Sequence, residues 1–110
     1  MQIDEYIQLS VIYISTDAKL INVVQKLQET LAEELQQIII GDFNFSPEED
    51  NHLTKYFKSK GFIQMIDQPT HSGGRTIDHC YVSNRGLVQQ IKIISPYYTD
   101  HSAFCMKLNR

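Results

Sequence analysis

Three short polar clusters interrupt an otherwise apolar pattern, and their residue types suit work on a phosphodiester. They are Asp42-Phe43-Asn44, Asp78-His79 and Asp100-His101. A carboxylate can position and deprotonate an attacking water. An Asn amide can hydrogen-bond a non-bridging phosphate oxygen. An imidazole can donate to the same phosphate while a second carboxylate holds its tautomer. Carboxylate oxygens also suit a hard cation such as Mg²⁺, which keeps several of its waters.

Each cluster taken alone has a plainer reading. An Asp after a strand is most often a turn residue, because its side chain bonds nearby backbone N–H groups. That reading applies to Asp42. Asp78 is different, since a carboxylate next to Ile77 and two residues before Cys80 is costly to bury without a partner. His79 points to the opposite sheet face from Asp78, so it reads as a surface or sheet-face residue and not as the partner of Asp78. His101, by itself, reads as structural, and His52 and His71 read as solvated. Cys80 and Cys105 have no metal-ligand spacing, and each lies in an apolar, strand-like run. They read as core residues of a chain kept in a reducing setting. Clusters at three separate strand ends weigh more together than singly, because polar strand ends in layered α/β folds meet on one rim.

The elements that must hold those clusters follow from periodicity. Residues Ile7 to Ser15 partly alternate and are rich in β-branched types, which predicts a strand. Thr16 or Asp17 can cap the helix that follows. In that helix Leu20, Val23, Val24, Leu27, Leu31 and Leu35 recur at three- and four-residue steps and form one apolar face. Ile38-Ile39-Ile40 has no alternation, as expected of a strand buried on both faces. Ser46-Pro47-Glu48-Glu49 has the form of a second helix start, with Ser46 as cap, Pro47 at the first helical position and Glu49 completing a capping box. Leu53, Tyr56 and Phe57 form the inner face of this helix, and Gly61 ends it. Short strands are expected at Phe62 to Ile66, Thr76 to Ser83, Leu87 to Ile94 and Ser102 to Leu108. Ser72-Gly73-Gly74 and Asn84-Arg85-Gly86 mark turns. The order predicts an α/β fold, a mixed β-sheet with helices packed on it.

Composition narrows the classes further. At 110 residues the chain fits one domain, with 42% hydrophobic and 21% charged residues. Ten basic against thirteen acidic residues give a net charge of −3, which excludes a strongly basic nucleic-acid clamp but not a phosphate substrate held through a cation. No apolar run approaches the ~20 residues of a transmembrane helix, so no membrane partner is expected. No secretory signal opens the chain, and an intracellular setting, nuclear or cytoplasmic, is expected. A glycine-rich phosphate loop is absent after the first strand, where Ser15-Thr16-Asp17-Ala18-Lys19 stands. That disfavours an unrelated nucleotide-binding domain.

Gly41-Asp42-Phe43-Asn44, Thr76-Ile77-Asp78-His79 and Thr99-Asp100-His101-Ser102, in that order and spacing, resemble the C-terminal half of the endonuclease/exonuclease/phosphatase superfamily. The stretch Gly61 to Thr70 resembles its mobile-element, retrotransposon-like members in particular. The resemblance runs from about Gln8 to Leu108 and implies half of a four-layer α/β/β/α sandwich. It implies a hydrolase, a nuclease dependent on Mg²⁺ or Mn²⁺, with nucleic acid as substrate. Asp42 would orient and deprotonate water, and Asn44 would bond the scissile phosphate. Asp100 would sit at the metal, with Asp42 and Asn44 near it. His101 would donate to the phosphate, oriented by Asp78, and Tyr13 would contact the phosphate. Ser15 and Thr16 stand where the family often has proline and asparagine. The glutamate that is the family's principal metal ligand has no counterpart, since Asp4 and Glu5 lie in no such context. The resemblance therefore implies an impaired site in this half alone, completed by an N-terminal half or by a homodimer. It equally allows a non-catalytic interaction module that keeps the Asp and His residues as relics. An exposed apolar inner sheet face is the structural expectation that goes with either.

Overall fold

The computed structural model describes residues 7–66, 76–94 and 103–108. Strand β1 (Ile7–Tyr13) leads through helix α1 (Leu20–Thr30) to β2 (Gln36–Asp42). Helix α2 (His52–Ser59), β3 (Ile63–Gln64) and β4 (Asp78–Val82) follow. One 3₁₀ turn, Arg85–Leu87, precedes β5 (Val88–Ile94), and β6 (Ala103–Leu108) comes last. A four-stranded sheet has the order β1-β2-β4-β3, with β1 parallel to β2 and both other pairings antiparallel. The expected α/β fold with a mixed sheet is therefore present. The last two strands do not join this sheet, because β5 and β6 pair with each other in a two-stranded sheet of their own. Ser72-Gly73-Gly74 lies outside the described residues.

Both helices pack on one face of the four-stranded sheet. Val24 and Leu27 of α1 and Leu53, Tyr56 and Phe57 of α2 share a core with Ile14, Ile39, Phe43, Phe45 and Tyr81. On the other face Ile38, Cys80 and Val82 are fully buried under Ile66 and Leu87, with Ile63 and Met65 alongside. Ile38 and Ile39 are thus buried on opposite faces, as the unalternating run predicts, while Ile40 is half-buried. Cys80 is a free, buried thiol whose surroundings push its pKa up to about 12, so it is packing and not a nucleophile. The side chain of Cys105 lies outside what is described.

Both helix starts differ from the sequence expectation, for a local reason. Neither Thr16 nor Asp17 caps α1. The Asp17 carboxylate accepts the Ser15 hydroxyl at 2.7 Å, and Ala18 N–H donates to Ser15 O, which closes a separate turn first. Lys19 then stands at the cap position with no side-chain bond. Ser46 is likewise spent on its own turn: its hydroxyl donates to the Glu48 carboxylate, and Glu49 N–H bonds Ser46 O. The second helix begins instead at Asn51, whose side-chain oxygen accepts from Leu53 and Thr54 N–H at 3.0 and 2.9 Å. The Thr54 hydroxyl accepts Asn51 N–H in return, so the capping box exists five residues later than expected. Helix α1 ends at Thr30 and does not reach Leu35. Gln8, reaching across from β1, donates to Thr30 O and accepts from Ala32 N–H, satisfying groups that a helix end leaves without partners. Gly61 ends α2 as expected, with φ 77°.

Gly41 sets the register at the functional end of the sheet. It lies opposite Ile12 on one side and His79 on the other. A Cβ at residue 41 would come within 1.8 Å of the Ile12 carbonyl oxygen. At Gly61 a Cβ would meet nothing within 4 Å. Gly41→Ala is expected to destabilise the fold by about 3 kcal/mol or more, because backbone must move. Gly61→Ala is expected to cost only about 1 kcal/mol, from left-handed strain alone. Urea unfolding of the two variants measures the difference, and equal losses would contradict this packing.

Candidate functional site

Tyr13, Asp42 and Asp78 end or begin three neighbouring strands at the same end of the sheet. Tyr13 lies beside Asp42 in the parallel β1–β2 register, and Asp42 lies opposite Asp78 in the antiparallel β2–β4 register. Register partners share a face, so the three side chains form a row across the sheet. The row is on the face away from the helices. The pairing also has a defined type. Phe43 N–H donates to Ile77 O at 2.7 Å, and Ser83 N–H donates to Gln37 O at 3.0 Å. Residues 43 and 77, and 37 and 83, are therefore the hydrogen-bonded pairs of this ladder. Asp42 and Asp78 fall on the alternate, non-hydrogen-bonded kind, in which Cα atoms are about 4.5 Å apart and side chains approach most closely. Two like charges placed directly opposite destabilise a sheet unless donors or a cation share them.

Asn44 completes the group. It adopts φ 57°, a left-handed conformation that Asn tolerates, and its N–H donates to Asp42 Oδ1 at 3.1 Å. Its side-chain amide donates to Ile14 O just beyond β1. Asn44 therefore ties the end of β2 to the end of β1, a structural duty that the sequence does not reveal. Exposure falls along the row: Tyr13 is 72% exposed, Asp42 is half-buried and Asp78 is 8% exposed. Asp100 and His101 lie outside the described residues. The structure thus brings together four of the six sequence-predicted site residues, Tyr13, Asp42, Asn44 and Asp78.

These oxygens are hard donors of the kind Mg²⁺ or Mn²⁺ takes. Among the described residues, however, no group of three or more His, Cys, Asp and Glu side chains is placed to hold a metal ion. The described residues alone supply part of a donor set and not a complete metal site. Two clefts among the described residues lie away from the row. One of about 510 Å³ runs between the 47–50 turn and α2, and one of about 310 Å³ opens near Leu31, Leu35 and Phe62. Neither is lined by Tyr13, Asp42, Asn44 or Asp78; within the row only Tyr13 is open to solvent, Asp42 being half-buried and Asp78 buried.

His79 departs most from expectation. It does lie on the opposite face from Asp78, but it is a core residue with no exposed surface, not a surface one. Its ring stacks on Phe43, with centroids 4.6 Å apart and planes 9° from parallel. Nε2 faces two carbonyl oxygens, Phe45 O at 2.8 Å and Thr76 O at 3.1 Å. Carbonyls only accept, so Nε2 carries the proton. In the neutral ring Nδ1 is then the acceptor, taking the Tyr81 hydroxyl at 2.9 Å. Burial holds His79 below its ordinary pKa, against the opposing pull of the Thr76 and Phe45 carbonyls and the Asp78 and Glu48 charges. Tyr81 is pushed up, first by burial and then by the charge of Glu48. His52 is exposed, as expected, and His71 lies outside the described residues.

No helix among the described residues is long and apolar enough to cross a membrane. Comparison with known protein families, with curated proteins and with solved structures found no match to this chain.

A neutral buried imidazole makes stability depend on pH with a definite sign. The unfolded chain binds a proton at His79 near pH 6.5, and the folded chain resists it. The stabilisation is fully present above about pH 6.5 and is lost as pH falls through the lower, folded-state pKa. Urea midpoints measured from pH 8 to pH 5 should fall with acid in the native chain. They should fall less steeply in His79→Gln, which carries no titratable group there. Parallel curves would show that another group sets the acid limb.

Proposed function

We propose that this chain is the C-terminal part of a divalent-metal-dependent phosphodiesterase of the endonuclease/exonuclease/phosphatase type, an endonuclease that hydrolyses nucleic-acid phosphodiester bonds. The observation that carries the reading is the row of Tyr13, Asp42 and Asp78 across three adjacent strand ends, with Asn44 locked beside Asp42. In this reading Asp42 orients and deprotonates the attacking water. Asn44 and Tyr13 hold the phosphate, and Asp78 orients His101, which donates to the developing charge. Asp100, with Asp42 and Asn44, stands near Mg²⁺ or Mn²⁺, which when bound would draw charge from the phosphate oxygens.

The open face beside this row supports the companion proposal of a second half. Ile7, Leu9, Val11 and Tyr13 of the edge strand β1 are 36, 58, 72 and 72% exposed, all on the face that carries Asp42 and Asp78. Exposed apolar stripes of this kind mark interfaces. An N-terminal half or a second copy packed there would make the α/β/β/α sandwich and supply the missing metal ligand. The same stripe favours the second reading, a non-catalytic interaction module whose carboxylates are relics.

Plasmid nicking with Mg²⁺ or Mn²⁺, run beside light-scattering mass, separates the two. The enzyme reading expects metal-dependent nicking that falls at least ~100-fold in Asp42→Ala and in Asp78→Asn, with folding unchanged. A folded, self-associating chain that neither nicks nor binds Mn²⁺ would leave the interaction module.

A further inference from the structure

We propose that His79 is a positioning residue, whose Nε2–H, shared between Phe45 O and Thr76 O, pins the turn carrying Asp42 and Asn44 to the strand entry carrying Asp78. Packing alone does not account for a histidine here. An apolar ring of the same size would stack on Phe43 without the cost of burying two polar nitrogens. The polar contacts go instead to two separate segments that lie just past the ends of regular pairing. Phe45 is three residues beyond the last residue of β2, and Thr76 is two before the first of β4. Among the described residues the last ladder bond there is Phe43 to Ile77. Beyond it the imidazole joins the two segments.

The ring is itself held. Phe43 covers one side, Phe45 meets it edge-on at 5.4 Å between centroids, and the Tyr81 hydroxyl fixes Nδ1 as acceptor. That orientation aims Nε2 at both carbonyls. Asp42 and Asp78 project from the opposite face of the same two strands, so their separation follows from how firmly these segments are joined. Tyr81 orients His79, and His79 orients the segments, while neither touches the carboxylates' own face. The functional meaning of this clamp rests on the reading of Asp42, Asn44 and Asp78 as the site. Its geometry does not.

The test uses the full chain and amide hydrogen exchange. Native His79 should show the Nε2–H tautomer in its imidazole nitrogen spectrum. In His79→Leu, exchange of the Phe43 to Ser46 and Thr76 to Asp78 amides should quicken roughly tenfold relative to that of Ser83 at the other end of β4. His79→Gln, which keeps an amide donor at the Nε2 position, should restore most of that protection. Uniform quickening at both ends, an Nδ1–H tautomer, or no rescue by Gln would each overturn the clamp. The tautomer and the Gln comparison stand even if His79→Leu does not fold. Nicking is scored separately. The expected exchange pattern in a chain that neither nicks nor binds Mn²⁺ would sink the nuclease reading and leave the clamp. Full nicking in His79→Leu with loosened segments would remove the clamp from function.

Discussion

The carbonyl of Ile12 occupies the space that a side chain at residue 41 would fill. Everything about the candidate site depends on that close approach. It lets β1 lie against β2 up to their last residues, so Tyr13 comes level with Asp42. On its other side Gly41 stands opposite His79, which puts Asp42 level with Asp78. One missing Cβ thus serves both pairings. A shift of one residue in either pairing would turn that strand's polar group to the helix side, where Phe43, Tyr81 and Phe57 leave no room for it.

The two faces of the sheet are finished to different degrees. On the helix side, Phe43 contacts Phe45, Phe57, His79 and Tyr81 within one aromatic cluster, and Phe57 stacks on Tyr81 with centroids 4.0 Å apart. Gln37 there donates to both Gln8 Oε1 and Ala32 O, while its own Oε1 is buried without a hydrogen-bond partner among the described residues. On the other side, Ile38, Cys80 and Val82 are covered by the chain's own 63–66 segment and Leu87, while β1 is left open. The expected exposed inner face therefore exists only in part, at the edge strand and not at the centre.

Periodicity locates both helices and the strands among the described residues, because core contacts repeat at 3.6 or 2 residues whatever else happens. Caps were less legible. Ser46 and Asp17 have the right chemistry for a helix start, but each finds a nearer partner, Glu48 and Ser15. Such side chains bond several local backbone arrangements nearly equally well. The end of α1 depends on Gln8, twenty-two residues from its partner Thr30, and no local pattern encodes that. The separation of β5 and β6 from the main sheet is likewise a matter of pairing, not of strand propensity. At the site, the residue types of Asp42, Asn44 and Asp78 were readable, and their alignment required the register. For His79, alternation gives only a face and not its burial. The aromatic rings that close over that face come from Phe43 and Phe45, more than thirty residues earlier. Gly41 next to Asp42 was the available signal for close strand approach.

The open stripe and the carboxylate row are parts of one surface. Tyr13 belongs to both, as the last residue of the stripe and the neighbour of Asp42. Any body that covers Leu9 and Val11 must end beside Asp42 and Asp78. Covering that edge would remove water from the half-buried Asp42, which lies opposite Asp78, already buried at 8% exposure, and charges interact more strongly as the local dielectric falls. The covering body therefore meets a polar end there, which positive charge, hydrogen-bond donors or open solvent suit better than an apolar surface. A partner with a purely apolar face fits β1 from Ile7 to Val11 but not the end at Tyr13. Charge placement, and not apolar area alone, therefore selects what this face accepts.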